Sequence, residues 1–178
     1  MVGLELEGVM SFNLPGVKSG GDLERLFTAV GFLVIQWGHT EQNLDLIVAR
    51  LFHSFGGHPL FKHRPRNLEP KVEFLRKCFE QLPELTEFRV ESDLLFARFL
   101  KVGKLRNDIV HGGITDLSMK NGAFVFSKID VVPKVHHNIR QVLLSESDWP
   151  TLRKELLRLG KDVQTLYQRV RGSLTSPT

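Results

Sequence analysis

A single cysteine, Cys78, in 178 residues leaves no internal disulfide and no multi-cysteine zinc site, and it fits a reducing, cytoplasmic compartment. Its expected place is on a helix near the core. Long apolar runs are missing as well. The longest, Leu26 to Ile35, is interrupted only by Thr28 and falls well short of the roughly 20 residues a membrane helix needs, so no membrane span is expected. The opening "MVGLELEGVMSFNLPG" carries Glu5 and Glu7 where a secretory leader would be basic, and none is expected. No G-x-x-x-x-G-K-[ST] or G-x-G-x-x-G stretch occurs, which removes the familiar phosphate loops. Internal repeats and low-complexity tracts are lacking too.

What is present is 42% apolar content, enough for a proper core, and a length that suits one domain. The net charge of +4 and pI near 9.4 permit contact with phosphates without demanding it.

Four helical segments stand out. The first runs from Asp22, a candidate N-cap after "SGG", to about Phe55, with Leu26, Val30, Leu33, Trp37, Leu44, Val48 and Leu51 on one stripe. Thr40 and Glu41 fill the single gap in that stripe. Phe27, Phe32, Val34 and Ile35 make its first half apolar nearly all round, which predicts burial by other helices or by a second subunit. A homodimer is the expectation. A basic, proline-containing stretch over 56–70 reads as a loop. The second helix covers 69–82, with Val72, Leu75, Phe79 and Leu82 inward, and ends at Pro83. A third starts at Ser92, read as an N-cap, and carries Leu95, Phe99, Val102, Leu105 and Ile109 to His111, where Gly112-Gly113 stops it. The last is capped by Ser147 or Asp148 and buries Leu152, Leu156, Leu159, Val163, Leu166 and Val170.

Between the third and fourth helices the period shifts. "ITDLSM" and "AFVFSKIDVV" alternate around Asn121-Gly122, which predicts a β-hairpin, and "KVHHNIRQVLLSE" offers a third strand. The expected fold class is therefore mainly α: a bundle of four to five helices with a small β-hairpin insertion after the third helix. The chain reads as one domain over 1–178, with an extended N-terminal arm at 1–20, the insertion at 113–146 and a frayed tail at 172–178.

The stretch "KLRNDIVHGGI" (104–114) carries the chemistry. At about 100° per residue Arg106 falls inside the apolar stripe of the third helix, near Leu95, Phe99, Val102 and Ile109. A buried guanidinium must be paired, and Glu41, in the only gap of the first helix, is the expected partner. Asn107 and His111 are four residues apart on one helix edge. His111 also sits at the helix C-terminus, and an imidazole is a side chain that can accept and donate protons. An arginine to hold a phosphate, an amide to orient it and a histidine to move protons suffice for metal-free RNA cleavage. A histidine before Gly-Gly is also a common helix ending, and a core-facing arginine can be purely structural.

"RNDIVHG" (106–112), closing a late helix of an α-helical domain, resembles the Arg-x4–6-His signature of the HEPN superfamily (higher eukaryotes and prokaryotes nucleotide-binding), including the polar residue after the arginine. The helical layout over about 22–171 is similar; 106–111 alone are motif-specific. The resemblance implies a dimeric metal-independent endoribonuclease, acting as a toxin or defence effector, that cleaves RNA through its own 2′-hydroxyl. It assigns Arg106 and Asn107 to the scissile phosphate and His111 to proton transfer. Glu41 and Asp108 would support them, and an antitoxin or other protein would be a partner. Gly113 stands where one branch of the superfamily has a tyrosine, so regulation through that tyrosine is not implied. The alternative is a catalytically inactive HEPN-like dimeric module that binds a protein partner or nucleotide; a helical scaffold outside the superfamily is the third reading.

Lys62, Arg64 and Arg66 in the basic loop are candidates for tracking an RNA backbone. His136-His137 point to opposite faces if they lie on a strand, and His39 with Glu41, like His58 with His63, lacks a third ligand, so no metal site and no cofactor are expected.

Overall fold

Residues 20–116, 123–130 and 138–174 are described by the computed structural model. In chain order they form α1 (Gly20–Ser54), α2 (Leu68–Gln81), α3 (Arg89–His111), β1 (Gly113–Asp116), β2 (Ala123–Asp130), β3 (Asn138–Ser145) and α4 (Trp149–Ser173). The fold is mainly α, with four long helices and one small antiparallel sheet of order β1-β2-β3. No described helix is long and apolar enough to cross a membrane. The N-terminal arm up to residue 19, the Asn121-Gly122 turn, His136-His137 and the tail from residue 175 lie outside the described residues, while Gly172 and Ser173 of the expected tail belong to the last helix.

Helical periodicity translated directly into burial. All six inward positions of α4, from Leu152 to Val170, are buried, as are Leu95, Phe99, Val102 and Ile109 of α3. α4 packs along α1 and α3, and α2 closes the bundle through Phe74, Leu75 and Phe79. Phe79 stacks on Phe96 at a centroid distance of 5.9 Å. Burying one such ring contributes roughly 1.5–3 kcal/mol.

Helix starts were less well anticipated. α3 begins at Arg89, because a 3-10 turn over Pro83–Phe88 feeds straight into it. Ser92 is therefore inside the helix, and its hydroxyl donates back to the Arg89 carbonyl at 2.9 Å instead of capping. Asp148 does stand at the N-cap of α4, yet its carboxylate turns back to accept from the Ser145 backbone N–H and hydroxyl. Those bonds hold its carboxyl below the usual carboxylate range. α1 extends two residues before Asp22.

The sheet is tied to α3 with almost no linker. Gly112 alone separates His111 from β1. The helix stops at Gly112 as the sequence predicts, with this glycine in an extended conformation, φ −82° and ψ 142°. Glycine is needed there for closeness: a Cβ would lie 2.3 Å from the Asp108 carbonyl oxygen and 3.4 Å from the Phe126 Cβ. β2 and β3 pair in register, with Phe124 opposite Leu144, Lys128 opposite Arg140 and Ile129 opposite Ile139. Phe124, Phe126 and Leu144 are buried, whereas Ile129, Ile139 and Leu143 are exposed.

Candidate functional site

The last turns of α3 present three consecutive polar residues with different surroundings. Asp108 is buried; its Oδ1 accepts from Arg140 Nη2 at 2.6 Å and lies 3.7 Å from Lys128 Nζ. This carboxylate fastens β2 and β3 to α3. Arg106 and Asn107 are half-buried, and the guanidinium Nη1 donates to the Asn107 side-chain oxygen at 2.9 Å. Arg106 Nε is buried without a hydrogen-bond partner. Among the described residues, the only polar partner of this cation is thus a neutral amide.

The expected Glu41–Arg106 ion pair does not form. Glu41 Oε1 instead accepts from Lys71 Nζ at 3.1 Å, and its Oε2 accepts from the Trp37 indole N–H at 2.9 Å. Lys71 also reaches Asp45 Oδ1 at 2.7 Å, and its side chain is 5% exposed. A nearly sealed ammonium takes two carboxylates, each about a third exposed, because partial solvation lowers their cost of burial while the cation has none. Lys71 escaped the sequence reading. A signal was present: Leu68, Lys71, Val72, Leu75, Cys78 and Phe79 follow the helical period, so Lys71 lies in the inward stripe of α2.

With Glu41 occupied elsewhere, Arg106 faces open space. It lines a cleft of about 300 Å³ together with Trp37, Glu41, Arg66, Glu69 and Asn107. Close helix packing shapes the wall: Gly103 lets α3 approach Trp37 so nearly that a Cβ would sit 2.9 Å from the indole Cη2. His111 is exposed one turn beyond Asn107 and is not among the residues lining this cleft. Arg64 and Arg66 of the basic loop line an adjoining concavity of about 770 Å³ with Asp45, His63, Pro65 and Lys71. Lys62 is exposed on the same loop and lines neither. Arg66 belongs to both cavities. Glu69, in the first turn of α2, was not anticipated as a neighbour of Arg106.

Comparison of the chain with protein-family models, curated proteins and solved structures gives no match. The chemistry of the cleft therefore rests on its own residues.

Proposed function

We propose that the chain is a metal-independent endoribonuclease of the HEPN type, acting in the cytoplasm as a toxin or defence effector. The observation that carries this reading is Arg106: a half-buried cation, with no carboxylate partner among the described residues, that opens onto a cleft beside Asn107. Such a guanidinium is desolvated enough to bind a phosphodiester strongly and is not neutralised from within. In the reaction the RNA 2′-oxygen attacks the neighbouring phosphorus and the bond to the 5′-oxygen breaks, leaving a 2′,3′-cyclic phosphate. One proton leaves the 2′-hydroxyl and one reaches the departing 5′-oxygen; His111 is the group assigned to that transfer. Arg106 and Asn107 neutralise and orient the phosphate, while Arg64, Arg66 and Lys62 draw in the strand.

A homodimer belongs to the same proposal. Phe27 and Ile35 are 65% and 64% exposed on α1, and the space where a Cβ of Gly31 or Gly38 would stand is open. No other described helix covers this face, and a second copy would bury it.

One observation favours a second reading, an inactive module that binds a nucleotide or a protein such as an antitoxin: His111 lies outside the cleft of Arg106. Labelled RNA incubated in EDTA decides between them. Cleavage leaving 2′,3′-cyclic ends, lost in Arg106→Ala and His111→Ala proteins of unchanged fold, supports the nuclease. An inert wild type, or equal cleavage by the variants, overturns it.

A further inference from the structure

Arg66 lines both of the adjoining cavities. We infer that they form one groove for a single polynucleotide strand, in which the 62–66 loop supplies a second phosphate subsite beside the one at Arg106. The inference rests on reading the Arg106 cleft as a phosphate site.

Three observations carry it. First, Arg64 and Arg66 make no ion pair or hydrogen bond with any described residue, unlike Arg25, Arg76, Arg89, Arg98 and Arg169, each bonded to a carboxylate. Two unneutralised guanidinium groups in one concavity repel each other until an anion enters. Second, the acid that shares the loop cavity, Asp45, is already committed to Lys71 at 2.7 Å. The buried lysine, shared with Glu41, thereby offsets part of the negative charge that would otherwise repel a phosphate. Third, the loop is pinned and not merely solvated. Pro65 is buried, Phe61 meets Phe74 edge-on at 5.9 Å, and Lys77 Nζ sits 5.0 Å from the centre of the Phe61 ring. Arginines on an anchored loop lose less freedom on binding than arginines on a loose one.

Because one arginine side chain spans both cavities, the sites suit neighbouring phosphates of one strand. Glu69 is the exception in this basic groove, a carboxylate with no partner among the described residues. It weakens strand binding and disfavours anions that bring no hydrogen-bond donors. Nucleobases do bring them, through amino and ring N–H groups; acidic peptides offer only backbone amides, so a nucleic acid is the better match.

The test uses the full chain and a fluorescent 12-nucleotide RNA whose 2′-O-methyl riboses cannot be cleaved. Affinity is measured against salt for wild type, Arg64→Ala, Arg106→Ala and Glu69→Gln, with thermal melting to confirm folding. Each arginine removed is expected to lower the salt slope by about 0.7, the single-strand value per phosphate contact. Glu69→Gln is expected to bind several-fold more tightly. Arg64→Ala should slow cleavage of a long RNA several-fold more than cleavage of a dinucleotide, since the dinucleotide fills only the Arg106 cleft. A slope unchanged in Arg64→Ala but lowered in Arg106→Ala overturns the second subsite and leaves the cleft standing. Equal competition by polyglutamate overturns the nucleic-acid assignment. Failure of the wild type to bind overturns the groove, while cleavage of ordinary RNA in EDTA, run on the same preparations, tests the nuclease reading separately.

Discussion

Arg106 and Asp108 stand two residues apart on one helix and have opposite fates. Asp108 faces the sheet, is buried, and meets two cations. Arg106, about 200° around the helix, faces a cleft and, among the described residues, meets only an amide. The difference separates a charge spent on holding the fold from a charge kept for a ligand. The same contrast repeats between Lys71, closed in by Glu41 and Asp45, and Arg64 and Arg66 across the cavity it borders, which have no partner among the described residues.

The comparison breaks most visibly through paired substitutions at its two ends. Arg106→Ala is expected to reduce RNA cleavage by about 10²–10³-fold, the usual cost of deleting one donor to a developing charge, and to change stability by less than about 1 kcal/mol. Asp108→Ala is expected to do the reverse, lowering unfolding free energy by about 2 kcal/mol because Arg140 and Lys128, both partly exposed, lose their shared anion. Urea denaturation and cleavage assays on both proteins check the pair. A stable Asp108→Ala, or an Arg106→Ala that unfolds, would mean the two charges have been assigned the wrong way round.

Lys71→Met comes next. It leaves Glu41 and Asp45 without their common cation, and the expected loss is about 2 kcal/mol, below the range for fully buried pairs because both carboxylates reach solvent. The same change is expected to weaken RNA binding, since the freed Asp45 faces the loop cavity. Unaltered binding in a folded Lys71→Met would show that neutralising Asp45 is irrelevant to the groove.

Gly112→Ala sharpens the structural half of the contrast. The added Cβ collides with the Asp108 carbonyl and crowds Phe126, so strand and helix must separate at a cost of about 1–2 kcal/mol. Gly113→Ala, whose nearest neighbour would be 4.0 Å away, is expected to be nearly neutral. Equal effects at the two glycines would dismiss close packing as the reason for Gly112.

These residues also show what the sequence could and could not reveal. The stripes of α3 and α4 were legible because burial of a helix imposes a period that survives without any knowledge of the partner. The alternation of 123–130 was legible for the same reason. Pairings across elements were not. Arg106 and Glu41 each interrupt a stripe, and matching them was reasonable, but the periodic pattern fixes only which face a residue occupies. Which charge it meets depends on how α2 docks, and α2 brought Lys71. Caps failed similarly: Ser92 has the right chemistry for a helix start, but the turn at Pro83–Phe88 had already begun the helix at Arg89. Within the candidate site, Arg106 and Asn107 come together at one cleft with Arg66, while His111 stands exposed a turn away. Spacing alone specified the helix edge they share and could not specify the shape of the cavity.

The smallest expected effect concerns a buried group given no partner at all. Cys78 is fully buried in the core, and desolvation pushes its thiol up from an ordinary 9.0 to about 12. Between those values the unfolded chain sheds the thiol proton and the folded chain keeps it, so the native state holds more protons. Stability is therefore unaffected below pH 9 and falls as pH rises through that window. Cys78→Ala is expected to be less stable at neutral pH, from the cavity it leaves, and to show a shallower decline above pH 9. The difference between the two curves isolates the thiol from other groups that titrate there. At pH 8 a disulfide reagent should modify wild-type Cys78 only as fast as the protein unfolds. Rapid modification of the native protein would mean that the core around α2 opens locally. The floor beneath Lys71 would then be too loose to keep one set of charges closed and the other free.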